Sequence, residues 1–154
     1  MERTLILIKP DALQRGLVGE ITSRFEKKGL KLTAMKMMTL ESSLIREHYS
    51  HLADKPFFPG IQSFMQSSPV IAQCWEGLEA VEAVRIIAGI TKARSAAAGT
   101  IRGDLGMSFQ CNVVHASDSV ENAELEVKRF FNEGEVFEYK KNNMTDIYAS
   151  DELN

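Results

Sequence analysis

The chain has 154 residues, 44% hydrophobic and 25% charged, with a formal net charge of −3. That length and balance describe a single folded domain spanning 1–154 and exclude a disordered chain, while the acidic sign argues against a dedicated nucleic-acid binder. No apolar run approaches the roughly 20 residues of a membrane crossing, and Met1 to Thr4 lead at once into a run too short for a signal peptide.

Leu5 to Ile8 is a continuous apolar run closed by Lys9-Pro10, the pattern of a buried central strand. Leu17, Val18, Ile21 and Phe25 recur at helical spacing, with Gly29 as the stop. Leu30 to Leu40 reads as a second strand. Ser42 or Ser43 caps a short helix running to about Leu52, and a further short helix covers Ile61 to Met65. Val70 to Trp75 is a third strand, and Glu79 to Ala88 a helix ended near Gly89. Residues 89–104 carry no strong period and read as a long loop, a feature more often functional than idle. Val113 to His115 is the fourth strand. Asp118, with Glu121 three residues on, predicts a capping box for the last long helix, whose buried face carries Val120, Ala123, Val127, Phe130 and Phe131. The catalytic core then covers about 2–131. The polar tail, 132–154, is expected to pack on the surface or on a neighbouring subunit.

This order predicts an α/β sandwich, a ferredoxin-like βαββαβ four-stranded antiparallel sheet covered by helices on one face. A Rossmann arrangement competes, but no Gly-x-Gly-x-x-Gly follows the first strand and no P-loop exists anywhere. Cys74 and Cys111 have no metal-ligand spacing and read as two reduced thiols of an intracellular, cytoplasmic protein. His48, His51 and His115 belong to no zinc motif.

Several residues invite a chemical reading, each with a plainer alternative. His115 sits at a strand-to-helix junction, where its ring is held rigidly; a neutral imidazole near pH 7 is a nucleophile. Lys9 ends an apolar strand, as a snorkelling lysine or as a cation at the rim of a site. Arg102 stands between Gly99 and Gly103, where glycine admits a ligand close to the backbone and arginine grips phosphate oxygens. It is otherwise a solvated loop residue. Arg85 and Thr91 lie on and just past the preceding helix. Phe57, in a proline-framed turn, offers a flat face for a base or joins a small apolar cluster. Glu126 lies on the margin of the last helix's buried face. There it either meets the His115 ring or pairs with Lys128 or Arg129.

Ile8-Lys9-Pro10-Asp11, Arg15-Gly16-Leu17-Val18-Gly19-Glu20-Ile21, Lys55-Pro56-Phe57-Phe58, Gly99-Thr100-Ile101-Arg102-Gly103-Asp104 and Asn112-Val113-Val114-His115-Ala116-Ser117-Asp118-Ser119 together resemble the nucleoside diphosphate kinases, in order from about residue 2 to residue 131. The resemblance implies a Mg²⁺-dependent ping-pong transfer of the γ-phosphate of ATP, or another nucleoside triphosphate, to a nucleoside diphosphate. His115 is then the nucleophile that becomes phosphohistidine, with Glu126 orienting its ring and Ser117 assisting. Lys9, Tyr49 and Asn112 meet the phosphates or sugar near the reacting centre. Arg85, Thr91 and Arg102 bind the phosphate chain, and Phe57 stacks on the base. The metal is held chiefly by the nucleotide, with Asp118 touching it through water. A homohexamer is implied, or in some members a homotetramer. Ala116 stands where many members have glycine, and Ala93 and Ala98 where relatives commonly carry proline. Three other readings accompany this one: an inactive interaction module on the same fold, a nucleic-acid binder, and a phosphohistidine relay to another protein.

Overall fold

The computed structural model describes residues 1–153; Asn154, the end of the expected tail, lies outside them. Four strands form one sheet in the order β2-β3-β1-β4: β1 (Glu2–Ile8), β2 (Lys31–Met38), β3 (Val70–Gly77) and β4 (Val114–Ala116). Every pairing is antiparallel, with Leu5 opposite Cys74, Leu7 opposite His115 and Ile8 opposite Val114. This is the expected four-stranded antiparallel sheet.

Helices cover it on both faces rather than one. The reason is visible in β1, where Leu5 to Ile8 are all fully buried. Successive side chains of a strand point to opposite faces, so Ile6 and Ile8 join Ile21, Phe25, Trp75 and Val84 in one layer. Leu5 and Leu7 join Ile45, Met65, Val127 and Phe130 in the other. The first layer is closed by α2 (Val18–Lys28) and α5 (Ala80–Ala88), the second by α3 (Ser42–His48), α4 (Phe58–Met65) and α7 (Val120–Phe130).

Three local features depart from the sequence reading. A five-residue helix, α1 (Pro10–Gln14), follows β1 directly, started by a proline whose missing N–H costs nothing in the first turn. Residues 89–104 are not one loop: a 3₁₀ turn spans Ala93–Ser95, and α6 (Ile101–Leu105) carries Arg102 into the interior. Gly103 serves packing there, since a Cβ on it would run into the carbonyl of Ala97. The cap of α7 is Ser119 instead of Asp118. Ser119 is the extended residue next to the helix, and its Oγ accepts from the Asn122 N–H at 3.1 Å; Asp118 accepts from the Asn122 side chain at 2.6 Å.

The tail returns along the chain's own sheet edge. Phe137 donates its N–H to the Thr33 carbonyl, Tyr139 its hydroxyl to that of Leu32, and Lys141 caps the end of α2 through Gly29 and Leu30.

Candidate active site

β4, the turn after it and the middle of α7 carry His115, then Ser117 and Asp118, then Glu126 to one end of the sheet, next to Lys9 at the end of β1. The two chain segments meet because β1 and β4 are neighbours in the sheet. Around them lies a cleft of about 590 Å³ lined by Lys9, Tyr49, Arg85, Thr91, Arg102, Asn112, His115, Asp118 and Glu126, with His48 and Arg129. A larger depression of about 850 Å³ adjoins it, sharing Arg85 and Asp118, and another of about 920 Å³ lies elsewhere; His115 lines neither. Ser117 is fully buried behind the cleft. Phe57 stands outside its lining and is exposed, so the expected cluster holds together with that one member set apart.

His115 presents a defined tautomer. Its Nε2 lies 3.1 Å from Glu126 Oε2, and the same oxygen accepts the Ser117 hydroxyl at 2.5 Å. Burial, the largest influence on Glu126, pushes its pKa up; the bonds from His115 and Ser117 outweigh it and hold the carboxyl below its usual range. An ionised carboxylate only accepts hydrogen bonds, so Nε2 must carry the proton and Nδ1 the lone pair. The alternative pairing of Glu126 with Arg129 is not adopted, because Arg129 bonds to Glu47 at 3.0 Å.

His48 was not singled out from sequence as a site residue, since nothing in its spacing marks it. It packs edge-on against His115, with ring centroids 4.4 Å apart, and against Phe130 and Tyr49. Burial, with the neighbouring His115 and Arg129, lowers its pKa to about 3, so the ring stays neutral. Burial likewise pushes the Tyr49 hydroxyl well up.

The opposite flank is cationic. Lys9 Nζ donates to Asn112 Oδ1 at 2.7 Å, and Asn112 Nδ2 to the Thr91 carbonyl at 2.9 Å. Burial first, then Arg102, lowers the Lys9 pKa to about 8. Arg102 is only 7% exposed, not a solvated loop residue, and burial and Arg85 bring its pKa to about 10. Its guanidinium donates to three backbone carbonyls, of Gly89 and Val114 at 2.6 Å and of Asn112 at 3.2 Å. Two of its five N–H groups remain for a ligand.

Between the Asn112 and Val114 carbonyls lies a strained turn. Val114 donates its N–H to the Asn112 carbonyl at 2.9 Å, two residues back, and Val113 between them has φ +67°. This is the strained form of the γ-turn, at a β-branched residue that strongly disfavours positive φ. Such a conformation costs on the order of 1–3 kcal/mol and persists only where its surroundings enforce it. Ala116 needs no such tolerance: among the described non-glycine residues only Glu79 and Val113 have positive φ.

The lining sets four cations, Lys9, Arg85, Arg102 and Arg129, against two carboxylates, Asp118 and Glu126. In a chain of net charge −3 that is a local anion site. His48, His115 and Glu126 bring ligand atoms within 4.8 Å of one another, but Arg129 donates to His48 Nδ1 at 3.4 Å and opposes a cation there. With Glu126 committed to His115 and Ser117, Asp118 is the lining carboxylate left for a metal. One carboxylate fits a Mg²⁺ whose other ligands are phosphates and water.

Gln110, also unmarked in the sequence, donates to the Gly60 carbonyl at 3.0 Å and ties the segment before Asn112 to α4 beside Phe57. No helix among the described residues is long and apolar enough to cross a membrane.

The family model described as nucleoside diphosphate kinase matches residues 2–136. The chain is 55% identical over 153 residues to a nucleoside diphosphate kinase of Parabacteroides distasonis, covering 99% of this chain and all of that one. It is 51% identical to one from Pyrococcus horikoshii, over 91% of both chains. Among solved structures, a halophilic nucleoside diphosphate kinase from Halobacterium salinarum in complex with CDP superposes with a TM-score of 0.93 at 43% identity, over 96% of this chain and 98% of that one. A nucleoside diphosphate kinase family protein from Babesia bovis gives the same TM-score and identity over 96% and 100%.

Proposed function

Because the chain belongs to the nucleoside diphosphate kinase family, we propose that it exchanges γ-phosphates between ATP, or another nucleoside triphosphate, and nucleoside diphosphates by a ping-pong route through His115. The observation that carries this is the Nε2–Glu126 bond of 3.1 Å, which leaves Nδ1 with its lone pair on a ring lining a cationic cleft.

In the first half-reaction the Nδ1 lone pair attacks the γ-phosphorus. The P–N bond forms as the bond to the β–γ bridging oxygen breaks, and the diphosphate leaves with that electron pair. The Nε2 proton stays on the ring, where Glu126 stabilises the positive charge that develops. In the second half-reaction a terminal β-phosphate oxygen of the acceptor diphosphate attacks the same phosphorus, the P–N bond breaks and the lone pair returns to Nδ1. Donor and acceptor use one site in turn, so they need not bind together.

Phosphoryl transfer asks chiefly for positioning and charge neutralisation. Lys9, Arg85, Arg102 and Thr91 would hold the phosphate chain, Asn112 and Tyr49 the sugar or the reacting phosphate, and Phe57 the base. Stacking on Phe57 is blind to base identity, since every base has a π-face, and suits an enzyme that balances nucleoside and deoxynucleoside triphosphate pools. Mg²⁺ bound to the phosphates would neutralise their charge, and Asp118, which lines the cleft, would meet it through water. Met35 and Met37 of the edge strand β2 stay exposed although the tail bonds to Leu32 and Thr33 of the same strand, and they support assembly with further copies, as a homohexamer or a homotetramer.

The test is incubation with ATP, Mg²⁺ and GDP. The wild type should form GTP and an acid-labile phosphoprotein, and His115→Ala neither. Undiminished GTP from the variant would refute the mechanism.

A further inference from the structure

Asp11 takes no part in the chemistry above, yet its carboxylate reaches the most strained point of the site. Oδ2 accepts the N–H of Val113 at 3.1 Å, across 102 residues of sequence. On the other side, Lys9 N–H donates to the Val113 carbonyl at 2.9 Å. The Lys9-Pro10-Asp11 corner therefore grips both polar backbone groups of Val113, while Arg102 holds the two flanking carbonyls.

We infer that Asp11 is a positioning residue: its bond to Val113 enforces the γ-turn that sets Asn112 on one side and His115 on the other. This rests on the function proposed above for those two residues.

Three observations carry it. The first is the positive φ of a β-branched residue, which persists only where neighbours over-determine it. The Val113 side chain is fully buried among the apolar residues beside β1, which anchors it there and leaves the backbone bonds to set φ. The second is Asp11 Oδ1, which is buried with no hydrogen-bond partner among the described residues. A carboxylate oxygen left unpaired in the interior is costly and calls for a reason. The bond made by its twin supplies one. The third is connectivity. Lys9 bonds to Asn112 Oδ1 through its side chain and to Val113 through its backbone, while Asp11 follows two residues later. One corner of chain thus places the lysine and fixes the turn it addresses.

Without the acceptor on Asp11, the Val113 N–H has no partner and the turn relaxes toward negative φ. That displaces His115 relative to a phosphate chain still held by Arg85 and Thr91. Misplacement of about 1 Å at a reacting atom costs about 10²-fold in rate, so the loss falls on kcat and not on KM.

The experiment compares Asp11→Ala with Asp11→Asn, which keeps an acceptor oxygen at the same reach. Single-turnover phosphorylation of His115 by Mg·ATP is measured well below the unfolding temperature, and φ at residue 113 is read from crystal structures of each variant. Asp11→Ala should be phosphorylated about 10²-fold more slowly at an unchanged KM, with φ relaxed. Asp11→Asn should recover most of the rate and keep φ positive. If Asp11→Ala does not fold, Asp11→Leu, similar in shape without an acceptor, makes the same comparison. A normal rate in the alanine or leucine variant overturns the inference. So does an equal loss in Asp11→Asn, or a φ that stays positive without the acceptor. A wild type that forms no phosphohistidine would defeat the proposed function instead, while the φ comparison would still decide the role of Asp11 in the turn.

Discussion

On the His115 flank of the cleft, side chains bond to side chains: Glu126 to His115 and Ser117, with the neutral ring of His48 packed behind. On the Lys9 flank, side chains bond mainly to backbone. Arg102 holds three carbonyls, Asn112 a fourth, and Asp11 an N–H. The first arrangement sets the tautomer and orientation of one ring. The second sets the shape of the chain on which the ring and Asn112 are mounted, and spends part of a cation's donor capacity to do so. Chemistry and scaffolding are separable on one flank and fused in the same residues on the other.

The largest expected effect follows from that fusion. Arg102→Lys keeps the charge but loses the fork that spans three carbonyls, so it should damage both activity and fold. Activity falls about 10³-fold, and stability by about 2 kcal/mol from carbonyls left unpaired. Kinetics with denaturant unfolding checks both. An activity loss with unchanged stability would break the comparison.

Glu126→Gln should show the opposite profile. The amide can donate to Nε2 and favour the tautomer with its proton on Nδ1, so phosphorylation slows about 10²-fold. Unfolding should shift far less than in Arg102→Lys.

The pH dependence separates the flanks further. Lys9 in the free protein is held near pKa 8, first by burial and then by Arg102, so it discharges as pH rises past 8. KM for ATP should then rise, by about tenfold for one lost charge-assisted bond. Lys9→Met should start high and show no such rise.

The smallest effect is expected at His48. Its folded pKa, about 3, lies below the ordinary 6.5, so between those values the unfolded chain binds the extra proton. Stability from this residue is therefore complete above about pH 6.5 and is lost as pH falls toward 3. His48→Phe should make the unfolding temperature less sensitive to acid between pH 6.5 and 5, at a cost under about 1.5 kcal/mol near neutrality.

The apolar run Leu5 to Ile8, the helical spacing to Phe25 and the Asn112-to-Ser119 motif made β1, α2 and β4 with α7 readable from sequence. Their signals are local, a period or a cap. Residues 89–104 were not readable, because α6 is only five residues long and Arg102 reads as polar; it is buried by carbonyls brought from residues 89, 112 and 114. The second helical layer was missed because a run buried on both faces looks like any other apolar run until its neighbours are known. In the site, residue types marked His115, Glu126, Lys9 and Arg102, whereas His48 acts on His115, Asp11 on Val113 and Gln110 on Gly60, partners 50 to 102 residues away. Ala93 shows the same limit. The family resemblance leads one to expect proline there, yet the Ala93 N–H donates to the Ser108 carbonyl at 3.4 Å, a bond proline could not make.

The proposed chemistry turns on which ring nitrogen of His115 reacts. Phosphorylating the protein with Mg·ATP and reading the phosphohistidine isomer by ³¹P NMR tests this directly. The prediction is phosphate on Nδ1 of His115, with Nε2 still bonded to Glu126. Phosphate on Nε2, or on another residue, would contradict it.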